Sequence, residues 1–176
     1  VEKASHGRAS IEYVLKAYEL IDSQRADCIV TAPINKASAK KGGFGFPGHT
    51  EFLASLSGSK KFVMMLVGKM LRVSLVTRHI PLSKVSKSLT TNNISETIEA
   101  TVDSLKKDFK IKNPRVGVAA LNPHAGEGGV FGNEEKKVIS PAIASFRNKN
   151  IIGPIPADAL FFLAYRKKFD AVISLY

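Results

Sequence analysis

The stretch RVGVAALNPHAGEGG, residues 115–129, gives the clearest indication of the fold. Its first half is a short apolar run, which is typical of a buried β-strand. Its second half is a turn that carries an amide, an imidazole and a carboxylate among glycines, and glycines let a backbone approach a ligand closely. Ligands of open α/β sheets bind beyond the carboxyl ends of the strands. The stretch therefore predicts a strand whose end presents His124 at the rim of a cleft.

Helical and extended patterns alternate on either side of this stretch. We predict helices over residues 10–24, 50–56, 94–109, 133–148 and 157–167, and strands over 27–32, 62–67, 71–77, 116–121 and 171–175. Gly68 and Lys69 separate two of these strands, so they could form a hairpin. Such alternation predicts an α/β sandwich with a largely parallel, buried sheet. We see no repeat, linker or domain boundary, and interpret residues 1–176 as a single α/β segment.

The composition is that of a globular protein rather than a disordered tail, because apolar residues make up 44% of the chain. No apolar run is long enough to cross a bilayer, and the first residues do not resemble a signal peptide. The single cysteine, Cys28, excludes an internal disulfide, and we expect it to be a small buried hydrophobe. These features favour a cytoplasmic protein that does not contact a membrane.

The net charge of +11 raises the alternative of a non-enzymatic nucleic-acid-binding domain. The lysines are spread along the chain in short clusters, which is typical of solvated helix faces. There is no tryptophan, and no aromatic residue alternates with basic ones as a stacking surface requires. We therefore favour a protein that does not bind nucleic acid, and a positive field would equally suit a small acidic or phosphorylated substrate.

Polar clusters follow three of the predicted strands. They are residues 31–36, which end at Lys36, residues 77–79, which end at His79, and residues 122–124, which end at His124. Parallel strands would bring these three side chains to one rim. Lys36 could act there as a general acid or base, or hold a carboxylate or phosphate. The simpler alternative is a solvated loop lysine.

His79 and His124 are metal-ligand types, but a catalytic zinc usually has three protein ligands. A third could come from an acid such as Asp158, from another chain, or from beyond Tyr176. The alternative is that each histidine is a lone loop residue with local hydrogen bonds, and that Asp158 only caps a helix.

Two further motifs concern anions. His49 and Thr50 would open the helix over residues 50–56, where free N–H groups attract phosphate, although Thr50 could simply be its N-cap. The glycines at 126, 128, 129 and 132 do not follow the G-x-G-x-x-G spacing, so this loop gives no case for a dinucleotide. Glu134 and Glu135 fall in the first turn of the next helix, where the dipole favours acids.

Several motifs together resemble one family. In the family's order they are TAPINK (31–36), PGHTEFLA (47–54), MML (64–66), LRV (71–73), HIPL (79–82), LNPHAGEGG (121–129), GNEE (132–135) and GPIPAD (153–158). This pattern, which covers nearly the whole chain, is similar to that of the 4-hydroxythreonine-4-phosphate dehydrogenases of pyridoxal phosphate biosynthesis.

The resemblance implies an α/β/α sandwich like that of isocitrate and isopropylmalate dehydrogenases, here mainly the dimer-forming subdomain. It implies oxidation and decarboxylation of 4-phosphooxy-L-threonine to 3-amino-2-oxopropyl phosphate with NAD or NADP, in a homodimer with a shared active site. It also implies a divalent metal (zinc, magnesium or cobalt) held by three histidines. Matched by motif, His79 and His124 are two of these ligands, His49 and Thr50 bind substrate, and Lys36 and Asp158 are polar positions near the cleft.

The sequence also departs from the family pattern. The family's third histidine lies in a Tyr-His-Asp-Gln motif, whereas this chain stops at Tyr176, on the last residue of a predicted strand. The family's glycine-rich N-terminal segment and downstream substrate contacts are missing, and Arg78 and Ala159 replace a small polar residue and a threonine. We expect a central segment of the enzyme that cannot turn over alone. The alternatives are a dehydrogenase of threonate or erythronate 4-phosphate and, ranked low, a metal-dependent hydrolase, because no glutamate has zincin spacing.

Overall fold

The parallel sheet predicted from the sequence lies at the centre of the longer of two units. The computed structural model describes residues 2–146 and 150–176, and it divides into unit 1, Val1–Lys60, and unit 2, Lys61–Tyr176. The strands of unit 2 are β1 (Met64–Val67), β2 (Arg72–Leu75), β3 (Val116–Ala119), β4 (Ile151–Ile155) and β5 (Ala171–Ser174). Their order in the sheet is β1-β2-β5-β3-β4. β1 is antiparallel to β2, and the other neighbouring pairs are parallel.

One face of this sheet is covered by α5 (Thr91–Lys107), α6 (Ser140–Ala144) and the short α4 (Val85–Ser88), which follows a 3₁₀ turn over Leu82–Lys84. α5 turns a stripe of buried side chains toward Val116, Val118 and Ile173 of the sheet; the stripe consists of Ile94, Ile98, Val102 and Leu105. A capping box opens this helix: the Thr90 hydroxyl accepts from the Asn93 N–H, and the Asn93 side chain accepts from the Thr90 N–H. The amphipathic period and its cap thus explain where α5 lies and where it begins.

The opposite face is covered by α7 (Ala157–Tyr165), whose Leu160 and Ala164 pack against Ala119 and Val172. The close approach requires Gly117, because a Cβ there would overlap Leu160 Cδ1. Helices on both faces bury all four residues of β3, as expected for a parallel strand. The predicted α/β class and its α/β/α layering are therefore confirmed.

Most predicted elements of unit 2 are confirmed with shifted ends, including the hairpin of β1 and β2. β4 was missed because Gly153-Pro154 interrupts its apolar run, and proline within strands is confined mainly to sheet edges, where β4 lies. The helix predicted over residues 133–148 contains a π-helical turn, Glu135–Ile139, that leads into α6. The predicted end of this helix, residues 147–148, lies outside the described residues.

Unit 1 contains α1 (Ala4–Asp22), α2 (Lys36–Lys41) and α3 (His49–Leu56). α1 begins earlier than the helix predicted over residues 10–24, and its Gly7 lets α2 approach closely, since a Cβ on that glycine would overlap the Ser38 carbonyl oxygen. α3 matches the helix predicted over residues 50–56. Across both units, none of the helices in residues 2–146 and 150–176 has the length and apolarity to span a bilayer.

The strand predicted over residues 27–32 is wrong. This segment has no regular secondary structure, and within residues 2–60 no strand is present to pair with it. Val30 is 92% exposed, and Cys28 is exposed rather than buried as expected. An apolar run becomes a strand only when a neighbour accepts and donates its backbone hydrogen bonds, and the described part of unit 1 supplies none.

Candidate active site

Both candidate metal-binding histidines follow parallel strands at one edge of the unit 2 sheet. His79 lies four residues after β2 and His124 lies five residues after β3. These strands flank β5, which ends two residues before Tyr176. Because β2, β5 and β3 are parallel, their carboxyl ends share an edge. The predicted placement of His79 and His124 on one rim is therefore confirmed by the topology, whereas their roles stay predictions.

His79 emerges where the pairing of β2 with β5 ends. The ladder continues past both strands, since the Thr77 N–H and hydroxyl both donate to the Leu175 carbonyl, at 3.2 and 2.7 Å. Two residues later His79 has a φ of 54°, so the chain leaves the sheet through a left-handed residue. Its side chain lines a cavity of about 260 Å³ together with Thr77, Arg78 and Tyr176. The end of the sheet and His79 therefore line the same cavity.

His124 lies at the start of a left-handed turn. The φ angles of residues 124–128 are 53°, 54°, 75°, 41° and 67°. Left-handed backbone costs a non-glycine residue roughly 1–2 kcal/mol, and His124, Ala125 and Glu127 are not glycines. The Phe131 N–H donates to the Gly126 carbonyl at 3.2 Å, and the Lys136 ammonium donates to the Gly128 carbonyl. The exposed imidazole is therefore carried by a backbone that its surroundings must hold in place.

Asp158 does not complete a metal site with the two histidines. It lies in the first turn of α7, three residues after β4, and its side chain is exposed. Within the part of the chain that the structure describes, no three His, Cys, Asp or Glu side chains come together as a metal group. The alternative that Asp158 caps the helix is also wrong, since the N-cap is Pro156.

His49 and Thr50 are the first two residues of α3, as predicted. The N-cap is Gly48, which overturns the alternative that Thr50 caps this helix. His49 Nε2 is buried and, among the described residues, has no hydrogen-bond partner. The ring lines a cavity of about 170 Å³ together with Tyr13 and Thr31. A buried ring nitrogen beside a cavity at a helix N-terminus is suited to a polar or anionic group.

Lys36 is the first residue of α2, and its side chain is exposed. The Asn35 side chain caps this helix by accepting from the Ser38 N–H at 2.8 Å. The expectation that Lys36 follows a strand is wrong, because residues 27–32 do not form one. Its exposed ammonium still offers a charge to an anionic ligand, and it equally fits the alternative of a solvated lysine.

Comparison with known proteins identifies the family of this chain. The sequence profile of the pyridoxal phosphate biosynthetic protein PdxA matches residues 1–176. The chain belongs to the PdxA family. It is 45% identical over 172 residues to 4-hydroxythreonine-4-phosphate dehydrogenase from Geobacter metallireducens, covering 97% of this chain and 50% of that protein. The resemblance found in the sequence motifs is thereby confirmed.

The chain is also similar to two further proteins, one of which has a solved structure. A putative D-threonate 4-phosphate dehydrogenase from Oceanobacillus iheyensis is 43% identical over 173 residues, covering 97% of this chain and 52% of that protein. The crystal structure of 4-hydroxythreonine-4-phosphate dehydrogenase from Klebsiella pneumoniae superposes with a TM-score of 0.92 at 33% identity, covering 100% of this chain and 54% of that one. The chain thus spans about half the length of the curated PdxA relatives that it matches.

Sequence interpretation missed the contacts that Glu134 and Glu135 make behind the left-handed turn at His124. The Glu135 carboxylate, only 4% exposed, accepts from the Leu121 and Asn122 N–H groups at 2.9 and 2.8 Å and from the Asn122 amide at 2.9 Å. Glu134 accepts from the same amide at 2.9 Å and from the Ser86 hydroxyl at 2.5 Å. The sequence places both acids at a helix dipole, and the GNEE motif alone gives no sign that they reach back to the strand end.

These hydrogen bonds keep both acids ionised. Burial by itself would raise the pKa of Glu135, but the hydrogen bonds from Asn122 and Leu121 outweigh it and leave this pKa below its ordinary value. The Ser86 hydroxyl, and then the Asn122 amide, lower the pKa of Glu134. Two carboxylates therefore share one amide donor, the Asn122 side chain, next to the turn that carries His124.

Proposed function

We propose that the whole protein oxidises and decarboxylates 4-phosphooxy-L-threonine to 3-amino-2-oxopropyl phosphate with NAD or NADP, in pyridoxal 5'-phosphate biosynthesis. The observation that carries this proposal is the delivery of His79 and His124 to one sheet edge by strands flanking β5, in a member of the PdxA family. The relatives named as 4-hydroxythreonine-4-phosphate dehydrogenase support it. The nicotinamide cofactor is assigned to no residue of this chain, whose glycine loop lacks a dinucleotide spacing.

His79 and His124 would hold a divalent metal (zinc, magnesium or cobalt). Imidazole nitrogens at the rim of a cleft suit such a cation. When bound, the metal polarises an alcohol or ketone oxygen as a Lewis acid. A third donor is required from outside the described residues, and the family resemblance assigns it to a histidine directly after Tyr176. We further propose a homodimer with a shared active site. Leu66 and Val67 on the edge strand β1, 53% and 58% exposed, fit a contact between two copies.

His49 and Thr50 would bind the anionic end of the substrate. The N-terminus of α3 directs backbone N–H groups toward an anion, the Thr50 hydroxyl can donate, and His49 Nε2 has no hydrogen-bond partner in the described part of unit 1. We assign Lys36 to charge neutralisation of substrate, and Asp158 to proton transfer at the edge that carries His79 and His124.

D-threonate 4-phosphate is the second candidate substrate, because the Oceanobacillus iheyensis relative carries that name at 43% identity. It shares the phosphate and the secondary alcohol but lacks the amino group. Erythronate 4-phosphate differs from it only in stereochemistry. These acids would use the same metal-binding and phosphate-binding residues, so the chemistry of the site is common to the alternatives.

We propose that the protein is cytoplasmic, and its dehydrogenase activity can be tested with the full-length protein. We expect NADH or NADPH to form on addition of 4-phosphooxy-L-threonine and a divalent metal, and less with D-threonate or D-erythronate 4-phosphate. His79→Ala and His124→Ala should abolish turnover, whereas His6→Ala, which removes an exposed imidazole of α1, should not change it. No oxidation of any of the three phosphates by the full-length protein would refute the proposal. The 176-residue chain alone should be inactive.

A further inference from the structure

The buried carboxylate of Glu135 has no task in the proposed chemistry, yet it is the best-connected acid near the site. It lies behind the His124 turn and binds the backbone of Leu121 and Asn122, where the chain leaves β3. It also lies against the turn itself, since a Cβ at Gly126 would be 2.7 Å from its Oε2 atom. One side chain thus links the strand end to the left-handed residues that carry the imidazole.

We propose that Glu135 is a positioning residue for His124, acting through Asn122 and the left-handed turn, with Glu134 fixing which way the Asn122 amide points. In its bearing on metal affinity the inference rests on the proposed function, because it takes His124 as a ligand. The effect on the turn is independent of any metal. Removing a group that orients a metal ligand through hydrogen bonds changes metal affinity or activity by about 10- to 100-fold.

The polarity of the hydrogen bonds makes the two acids unequal. Glu135 Oε1 accepts from two backbone N–H groups, which cannot be turned round. In Glu135→Gln the amide oxygen must stay on that side, so its NH₂ group is forced against the NH₂ group of Asn122. In the wild type the Asn122 NH₂ group donates to Glu135 Oε2 at 2.9 Å. In the variant two NH₂ donors would face each other in this place.

Glu134→Gln lacks this conflict. Its partner on the far side is the Ser86 hydroxyl, which both donates and accepts. The new amide can direct its oxygen to Asn122 and its NH₂ group to Ser86, so both of these side-chain contacts are kept.

The double variant E134Q/E135Q is the decisive case. With both acids replaced, the Asn122 amide can rotate so that its oxygen accepts from both new NH₂ groups, while the new amide oxygen at position 134 still accepts from the Ser86 hydroxyl. The second substitution therefore restores what the first one breaks. A role limited to negative charge predicts the reverse, that removing both acids is worse than removing one.

The test uses the full-length protein, with Glu127→Gln as the matched control, because Glu127 is an exposed acid of the same turn. Hydrogen exchange of the peptide covering residues 119–132 reports on the turn, and exchange of the peptide covering α5 reports on the fold. Titration with Co²⁺ measures affinity, and the visible spectrum of the bound ion reports its ligand geometry. We expect E135Q to speed exchange in the turn, to weaken Co²⁺ binding by about 10- to 100-fold and to alter the spectrum. E134Q, E127Q and E134Q/E135Q should stay near wild type in exchange.

The outcomes separate this inference from the proposed function. Wild-type exchange in E135Q, or exchange in E134Q/E135Q faster than in E135Q, would overturn the positioning role whether or not the protein binds metal. If E135Q does not fold, E134Q/E135Q must still fold with a protected turn, and its failure would be equally decisive. A wild-type protein that neither binds Co²⁺ nor oxidises substrate would refute the proposed function, while the exchange pattern would still decide the role of Glu135.

Discussion

Two glycines of the His124 turn form a matched pair for substitution by alanine. Gly126 and Gly128 have φ angles of +75° and +67°, so the left-handed backbone penalises a side chain similarly at both. Their surroundings differ. A Cβ at Gly128 would meet nothing within 4 Å, whereas one at Gly126 would lie 2.7 Å from Glu135 Oε2 and 3.2 Å from the Gly132 carbonyl oxygen. The difference between the two variants therefore reports on the contacts at Gly126, of which the one with the buried carboxylate is the closest.

The expected magnitudes follow from these distances. Backbone strain should lower the free energy of unfolding by roughly 1–2 kcal/mol in both Gly126→Ala and Gly128→Ala. At Gly126 the methyl group must also push Glu135 away from the N–H groups that it binds, and such overpacking costs about 1–3 kcal/mol more. We expect Gly126→Ala to be the less stable variant by that second amount, and to bind Co²⁺ more weakly than Gly128→Ala does.

Urea unfolding of the full-length variants, followed by circular dichroism, gives both free energies. Hydrogen exchange of residues 119–132 then shows whether the extra loss arises in the turn. Equal unfolding midpoints for the two variants, or a lower midpoint for Gly128→Ala, would refute the reasoning, because backbone strain alone would then explain both. A Gly126→Ala protein with unchanged exchange at Leu121 and Asn122 would be equally damaging, since Glu135 would not have moved.

Three other predictions concern unit 2. Gly117→Ala should cost about 1–3 kcal/mol, because its Cβ would overlap Leu160 Cδ1, and Leu160→Ala should recover part of this loss in the double variant, as measured by urea unfolding. Thr90→Ala should cost roughly 1 kcal/mol in the same assay through loss of the α5 capping box, with Thr91→Ala as a control that leaves the box intact. The pKa of Glu135 is lowered, so its contribution to stability is present above its ordinary pKa of 4.5 and is lost as the pH falls through the folded-state pKa. In Glu135→Gln the free energy of unfolding, measured by urea unfolding at a series of pH values, should therefore fall less steeply at acid pH.

The fold could be predicted where apolar residues follow a regular helical or strand pattern. The helical spacing of Ile94 and Ile98 and the continuous apolar residues of β3 located the core of unit 2 and its parallel sheet. β4 escaped because Gly153-Pro154 argues against a strand locally, and only the pairing with β3 overrides this. Residues 27–32 show the opposite error, a strand that was predicted but is not formed. Their apolar residues favour a strand, but no strand in the described part of unit 1 pairs with them.

The sequence predicts where the candidate site lies, but not which contacts hold its turns in place. Polar residues after parallel strands indicate an edge site, which located His79 and His124. Nothing in the local sequence shows that Glu135 returns to the N–H groups of Leu121 and Asn122, because the contact spans 13 or 14 residues and depends on the left-handed turn between them. Non-glycine residues with positive φ have no dependable signature in one sequence.

Strand spacing explains why the turns after β2 and β3 bear so much of the proposed function. Neighbouring strands lie about 4.8 Å apart, so strands on either side of β5 are separated by roughly 10 Å. A metal–nitrogen bond measures only about 2.0–2.1 Å, so one ion could bind both imidazoles only if the two side chains converged across this separation. Each histidine lies on a left-handed residue, where the chain breaks from the strand direction. The sheet determines how far apart the two strand ends lie. The turns after β2 and β3 determine whether the two rings can reach one ion, and Glu135 lies behind the second of these turns.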